Sequence, residues 1–208
     1  MTKISLLPLI AATLISGGSV ALVEAKQPKR PVLVAKPAVT QVKPTPAQPV
    51  QLKWKLYTAP DGRFTILMPG SPQRNTQSQK TYMGEINLET FIAQPPKQQV
   101  AYVVAYNDFP YSYGQMANPQ LILNNARDMA LKTTKSNLIS QRNIRSSNGH
   151  PGKEIVYINS GGKITKNRMY VAQGRLYQVM AITTKKQQKT LAKTITGYLN
   201  SFQVVLKK

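Results

Sequence analysis

"KITKNRMYVAQGRLYQVMAIT", residues 163–183, is the stretch that decides the fold. Apolar, aromatic and β-branched residues fill both halves, and Gln173-Gly174 interrupts them in the middle. Two strand-like runs separated by a two-residue turn containing glycine predict an antiparallel β-hairpin. The neighbouring segments extend the pattern. Upstream lie "NLISQRNI" (137–144) and "GKEIVYINS" (152–160), the latter joined to the hairpin by the turn Ser160-Gly161-Gly162. Downstream, Leu191, Ile195, Tyr198, Leu199 and Phe202 fall on one face of a helix before a closing strand in "FQVVL". Further towards the N-terminus, Asn118 is placed to cap a helix that starts at Pro119 and carries Ile122, Ala126, Met129 and Ala130 on one face. Before it stand a strand in "QQVAYVVAYNDFP" (98–110), a hairpin in "QKTYMGEINLETFIAQ" (79–94) around Met83-Gly84, and two short strands either side of Pro60-Asp61-Gly62. Strands in meanders with only two helices predict an α+β sandwich built on a mostly antiparallel sheet.

Outside this domain, expected over residues 52–208, the chain changes character. Lys3 followed by the apolar run Ile4 to Ile15, with small residues before Ala21 and Ala25, predicts a secretory signal over residues 1–25. The alternative is an uncleaved N-terminal anchor, because Ile4 to Val23 holds no charge over a bilayer-spanning length. Pro8, Gly17 and Gly18 weigh against it. Residues 26–51 are rich in Pro, Val and Lys without an acid, which favours an extended polyproline tether. Both readings of the N-terminus place the domain outside the cytoplasm, in solution or at a membrane. Nucleic acid is therefore not the expected partner despite 28 Lys+Arg against 7 Asp+Glu and a formal net charge of +21. The chain has no cysteine, which excludes thiol catalysis, iron–sulfur ligation and cysteine-based zinc sites.

Segment order and local pattern together carry a resemblance. "WKLYTAPDGRFTILMPGSP" opening the domain, "GHPGKEIVYI" in its middle, and "NRMYVAQGRLYQVMAIT" followed by a helix and "YLNSFQVV" resemble the PsbP-like family of extrinsic photosystem II proteins and their thylakoid-lumen relatives. The resemblance implies an α-β-α sandwich around an antiparallel sheet, and a non-enzymatic role in binding, stabilising or assembling a membrane complex. Bacterial photosystem-associated members typically carry a lipidated cysteine after the signal, and its absence here points to a divergent paralogue. Fold alone does not set function in this group.

Chemistry-bearing residues are sparse. Apart from Glu24 in the signal, the acids are Asp61, Glu85, Glu89, Asp108, Asp128 and Glu154, and their positions suggest no paired-carboxylate site. A Ser-His-Asp arrangement would have to recruit His150, the one histidine, from "NGHPG", which lacks the strand-to-helix elbow of a nucleophile. Asn148, Gly149, Pro151 and Gly152 read as a turn, with Glu154 paired across strands to a Lys or Arg. "SGGK" at 160–163 precedes a strand rather than a helix, so it is a turn and not a phosphate loop. The resemblance adds a metal candidate, because some PsbP-like proteins bind manganese, calcium or zinc through His and carboxylates, and His150 with Glu154 are the nearby donors. A second cluster, Asp108 with Tyr111 and Tyr113 between a strand and a helix, is a candidate recognition loop.

Charge distribution is the strongest functional signal. From Gln51 to Ala126 the balance is +2, and from Arg127 to Lys208 it is +14. Lys185, Lys189 and Lys193 stand at i, i+4 spacing, with Lys186 beside them and Lys207 and Lys208 at the end of the chain, and are expected to line one helix face. The expected function is that of an exported, monomeric, non-enzymatic accessory protein. It would dock through this basic surface on an anionic membrane or membrane-protein complex, in photosystem II assembly or stability. The alternatives are a hydrolase of the envelope or lumen acting on an anionic substrate and a metal-binding accessory protein.

Overall fold

A computed structural model describes residues 53–81, 84–96, 98–110 and 118–206, and no helix among them is long and apolar enough to cross a membrane. The expected signal and tether, Tyr111, Tyr113, Lys207 and Lys208 lie outside the described residues. Strands β1 (Trp54–Thr58) and β2 (Phe64–Pro69) open the domain, followed by β3 (Gln73–Thr81), β4 (Gly84–Ala93) and β5 (Val100–Asp108). Helix α1 (Pro119–Thr133) leads to β6 (Ser136–Arg145), β7 (Pro151–Asn159), β8 (Lys163–Ala172) and β9 (Arg175–Thr184). Helices α2 (Lys185–Thr190) and α3 (Ala192–Asn200) and the short strand β10 (Gln203–Val204) complete it.

The expected hairpin forms the middle of a seven-stranded sheet ordered β3-β4-β5-β9-β8-β7-β6, antiparallel at every junction. Its register runs from Lys163 opposite Thr184 to Ala172 opposite Arg175, and Gln173 and Gly174 both take positive φ (45° and 71°). Such a turn matches the right-handed twist of the strands it joins. The domain is α+β, as the sequence pattern implies.

Alternation of side chains then builds two layers. Tyr102, Val104 and Tyr106 of β5 and Tyr177, Val179 and Ala181 of β9 point to one face, where they meet Ile195, Tyr198 and Leu199 of α3 and the small sheet β1-β2-β10. The intervening residues Leu176, Met169 and Val171, with Ile155 and Tyr157 of β7, meet Ile122, Leu123 and Ala126 of α1 on the other face. Asn118 caps α1 by accepting from the Gln120 amide at 2.8 Å. Phe64 is the wedge of the first layer. It is fully buried, and the rings of Tyr57, Phe91, Tyr106, Tyr177 and Phe202 stand 5.6–6.3 Å from its own.

The opening strands pair with β10 in a separate sheet, so that a sheet as well as helices covers that face. Three sequence expectations need correction. Strand β3 begins at Gln73, six residues before the expected hairpin, because "QRNTQS" is a polar edge with no apolar alternation to reveal it. Pro151 and Gly152 belong to β7, not to the turn, which spans Ser146 to His150. Gly152 is required by packing: a Cβ there would stand 2.6 Å from both the Met169 carbonyl oxygen and a Tyr170 ring carbon. Last, the C-terminal helix is two helices jointed at Leu191, and Phe202 is buried beyond the end of α3. The Leu191 amide still bonds the Gln187 carbonyl and the Leu191 carbonyl still accepts from Ile195, so the chain bends there while keeping these bonds.

Replacing Phe64 by Ala is expected to lower unfolding free energy by about 3–5 kcal/mol, as for other large-to-small core changes. Leu56→Ala, at a side chain 66% exposed, should stay within about 0.5 kcal/mol. Urea midpoints for the two variants and wild type measure the difference.

Candidate functional site

The acids, taken one by one, account for the site. Arg175, at the start of β9, is 3% exposed and lies over the Tyr106 ring with its guanidinium carbon 3.7 Å from the centroid. Its Nε and Nη2 donate to the two Asp108 oxygens, each at 2.7 Å, and Nη1 donates to Asp61 Oδ2 at 2.6 Å. Arg63 adds a bond to Asp108 Oδ1 at 3.0 Å and another to the Gln173 carbonyl. Asp61 and Arg63 belong to the turn of the small sheet, Asp108 and Arg175 to the large one, so this network fastens one sheet to the other. Burial pushes the Asp61 carboxyl upward, and the bonds from Arg175 and from the Arg63 amide overcome it and hold it below its ordinary range. Asp108 is thus structurally engaged, although its side chain is 54% exposed.

Glu154 is the second acid with a shaped environment. Register places it between Arg142 on β6 and Arg168 on β8, whose Nε atoms donate to its two oxygens at 2.9 and 2.7 Å. Lys166 stands 3.6 Å away. Burial again pushes the carboxyl up, and the two arginine bonds and the Lys166 charge leave it below the usual carboxylate range. This is the cross-strand pairing expected for Glu154. His150 sits apart in the turn, its amide donating to Ser146 Oγ and its carbonyl accepting from the Ser146 amide. Its Nε2 is buried without a protein partner. His150 is outside the ladder that occupies both Glu154 oxygens, so a shared metal would have to displace two arginines. Among the described residues no three His, Asp or Glu side chains converge as a metal-binding group.

The remaining acids follow the same rule where they are paired. Glu89 accepts from Arg74 and Thr76, and Asp128 from Arg127. Lys185, Lys186, Lys189 and Lys193 are all exposed and take part in none of the ion pairs among the described residues. They do not share one continuous helix face, because the joint at Leu191 separates Lys193 from the other three. Beneath the joint, a pocket of about 100 Å³ is lined by residues including Ile164, Ala181 and Ile195 and the polar Lys166, Thr183 and Gln188. It is smaller than the several hundred Å³ typical of small-molecule sites, and none of Asp108, His150 or Glu154 lines it. The sequence reading missed the Arg175 centre, whose signal was weak: an arginine immediately after a hairpin turn.

No family model and no curated protein matches the sequence. The fold does match. The solution structure of cyanobacterial PsbP (CyanoP) from Synechocystis sp. PCC 6803 superposes with a TM-score of 0.53 at 10% identity, covering 79% of this chain and 99% of that one. A Pseudomonas aeruginosa protein of unknown function, PA94, described as a putative regulator, gives 0.42 at 14% identity over 74% of this chain and 98% of its own. The architecture is therefore PsbP-like, and at this identity the likeness is one of fold.

Arg175→Met should lower unfolding free energy, by less than the cost of about 3–5 kcal/mol for a fully buried pair, because Asp61 and Asp108 lose their shared partner but their side chains are 24% and 54% exposed and Asp108 keeps Arg63. Arg175→Lys should recover little, since an ammonium cannot reproduce the planar fork. Urea unfolding of the three proteins tests both statements.

The depressed carboxyls also set an acid limb. A group whose folded pKa lies below its unfolded value contributes stability above the unfolded value, about 4, and loses it as pH falls through the folded one. Glu154→Gln is expected to be less stable than wild type at pH about 7 and to lose less on acidification below pH about 5. Urea midpoints followed from neutral to acid pH would show the two curves converging.

Proposed function

We infer that this protein is an exported, monomeric, non-enzymatic PsbP-like accessory module of the thylakoid lumen or periplasm. Its basic surface docks on an anionic membrane or membrane-protein complex, and its role lies in photosystem II assembly or stability. One observation carries the reading: arginines take up the paired acids inside the domain, while the helical lysines Lys185, Lys186, Lys189 and Lys193 stay exposed and outside those ion pairs. Ion pairing thus leaves the positive charge of the second half at the surface, where it attracts an anionic partner over a salt-screened range. Likeness of fold to a cyanobacterial PsbP supports the assignment to this kind of module. The second view, a hydrolase, draws no support from the described pocket, which contains neither a carboxylate nor a histidine.

The tagged protein, incubated with its native membranes, should sediment with them at low salt and be released at high salt. Reversing Lys185, Lys186, Lys189 and Lys193 to Glu should leave it in the supernatant at both. Sedimentation indifferent to salt and to these substitutions would defeat the reading. Affinity purification from solubilised membranes then identifies the complex.

A further inference from the structure

The lysines that matter are not confined to the C-terminal helices. Sheet register gathers others beside them from distant parts of the chain. Lys163 opens β8 directly opposite Thr184, the residue before Lys185. Ser136 opens β6 opposite Asn159, whose side chain accepts from the Lys163 amide at 2.9 Å, and Lys135 immediately precedes Ser136. Lys135, Lys163 and Lys185 therefore stand along one end of the four strands β6-β7-β8-β9, a row of roughly 15 Å at the usual strand spacing. The last turn of α1 adds Lys132, and α2 adds Lys186 and Lys189.

Acids stay away from this end. Asp61 and Asp108 lie at the opposite end of the sheet, as does the β3-β4 hairpin bearing Glu85, and Glu154 lies within β7. Asp128, the nearest along the chain, is one helical turn before Lys132 and paired with Arg127. Of the six lysines Lys163 is half-buried and the others are exposed, and none is in an ion pair among the described residues. Just inside the row, the edge strand β6 exposes Leu138 (38%) and Ile139 (55%) at its bulge.

We propose that this end of the sheet is a lipid-docking surface. Lys132, Lys135, Lys163, Lys185, Lys186 and Lys189 would meet anionic headgroups, and Leu138 and Ile139 would enter the interfacial layer. The proposal rests on the docking function above and specifies its partner. Its composition favours lipid over protein. Protein interfaces are enriched in arginine and aromatic residues and depleted of lysine, whereas lysine clusters suit a fluid anionic surface that needs no fixed bidentate geometry. Apolar side chains beside lysines match the boundary between headgroups and acyl chains. Docked this way, the strands stand end-on to the bilayer, with the Asp61–Arg175–Asp108 centre and the His150 turn on the far side.

The test uses the full chain and two variants of equal net charge: Lys132→Glu with Lys163→Glu, and Lys80→Glu with Arg145→Glu, which reverses charges at the other end of the sheet. Sedimentation is compared between phosphatidylcholine vesicles containing phosphatidylglycerol and phosphatidylcholine vesicles alone. The difference cancels any contribution of the apolar N-terminal segment. Urea midpoints confirm that each variant is folded. The first variant should lose at least about tenfold of the anionic-vesicle partitioning and the second little; Leu138→Ser with Ile139→Ser should weaken what remains at high salt. Equal losses in the two charge variants, or none in the first, would overturn the proposal. So would salt-sensitive binding to native membranes without binding to anionic vesicles, which leaves the docking function standing with an acidic protein as its partner. Failure to bind either would remove both.

Discussion

The guanidinium of Arg175 holds the two sheets in one arrangement. A nearly buried cation is tolerable only when its donors are met, and three of its nitrogens reach carboxylates on both sheets while its plane lies on Tyr106. Phe64 fills the space between the sheets, but ring packing alone would tolerate small slides. The ion network removes that freedom, because Asp61 is carried on the turn of the small sheet and Asp108 at the end of β5 in the large one, and the two can share one arginine only in this register. The same logic recurs at Glu154, where two arginines from flanking strands hold three strands in line.

From this constraint follows a division of labour between the two basic residue types. Each of the seven described arginines has a carboxylate or carbonyl partner: six pair with acids and Arg145 donates to the Gly149 carbonyl. Planar forks suit such fixed sites, whereas ammonium groups are strongly hydrated and most of them stay at the surface. The exceptions are Lys153, buried with its Nζ donating to Asn143, and Lys166, which stands beside Glu154. Composition therefore understates the segregation. The few acids neutralise arginines within the structure, and the uncompensated charge at the surface is almost wholly lysine.

Legibility from sequence followed the distance over which each feature is determined. The hairpin at 163–183, the strand at 98–110 and the cap at Asn118 rest on neighbouring residues, and their types and places were readable. The Arg175 centre joins residues 67 and 114 positions apart, so no local pattern announces it. His150 and Glu154 mislead in the opposite way. Four positions apart in sequence, they suggest a pair, but β7 begins at Pro151 and turns Glu154 towards Arg142 and Arg168, leaving His150 in the turn. Polar β3 escaped because an edge strand needs no apolar face, and edge polarity is a protection against unwanted pairing. The joint at Leu191 escaped because no Pro or Gly marks it and the i, i+4 spacing of Lys185, Lys189 and Lys193 runs straight through it, while the apolar face begins only at Leu191.

That joint changes how the positive charge should be understood. On one straight helix, Lys185, Lys189 and Lys193 would form a narrow stripe parallel to its axis, and the joint takes Lys193 out of it. Independently of the joint, Lys185 and Lys186 sit where β9 ends, and sheet register sets Lys163 and Lys135 beside them. Antiparallel pairing collects at one end residues that lie some fifty positions apart in sequence, which a helix cannot do. A basic field spread across strand ends and the helices either side covers an area instead of a line, and an area is what a flat anionic surface can engage. The fold likeness at 10% identity fits this view: a shared framework constrains which strands end together, and each sequence decides what charge is placed there.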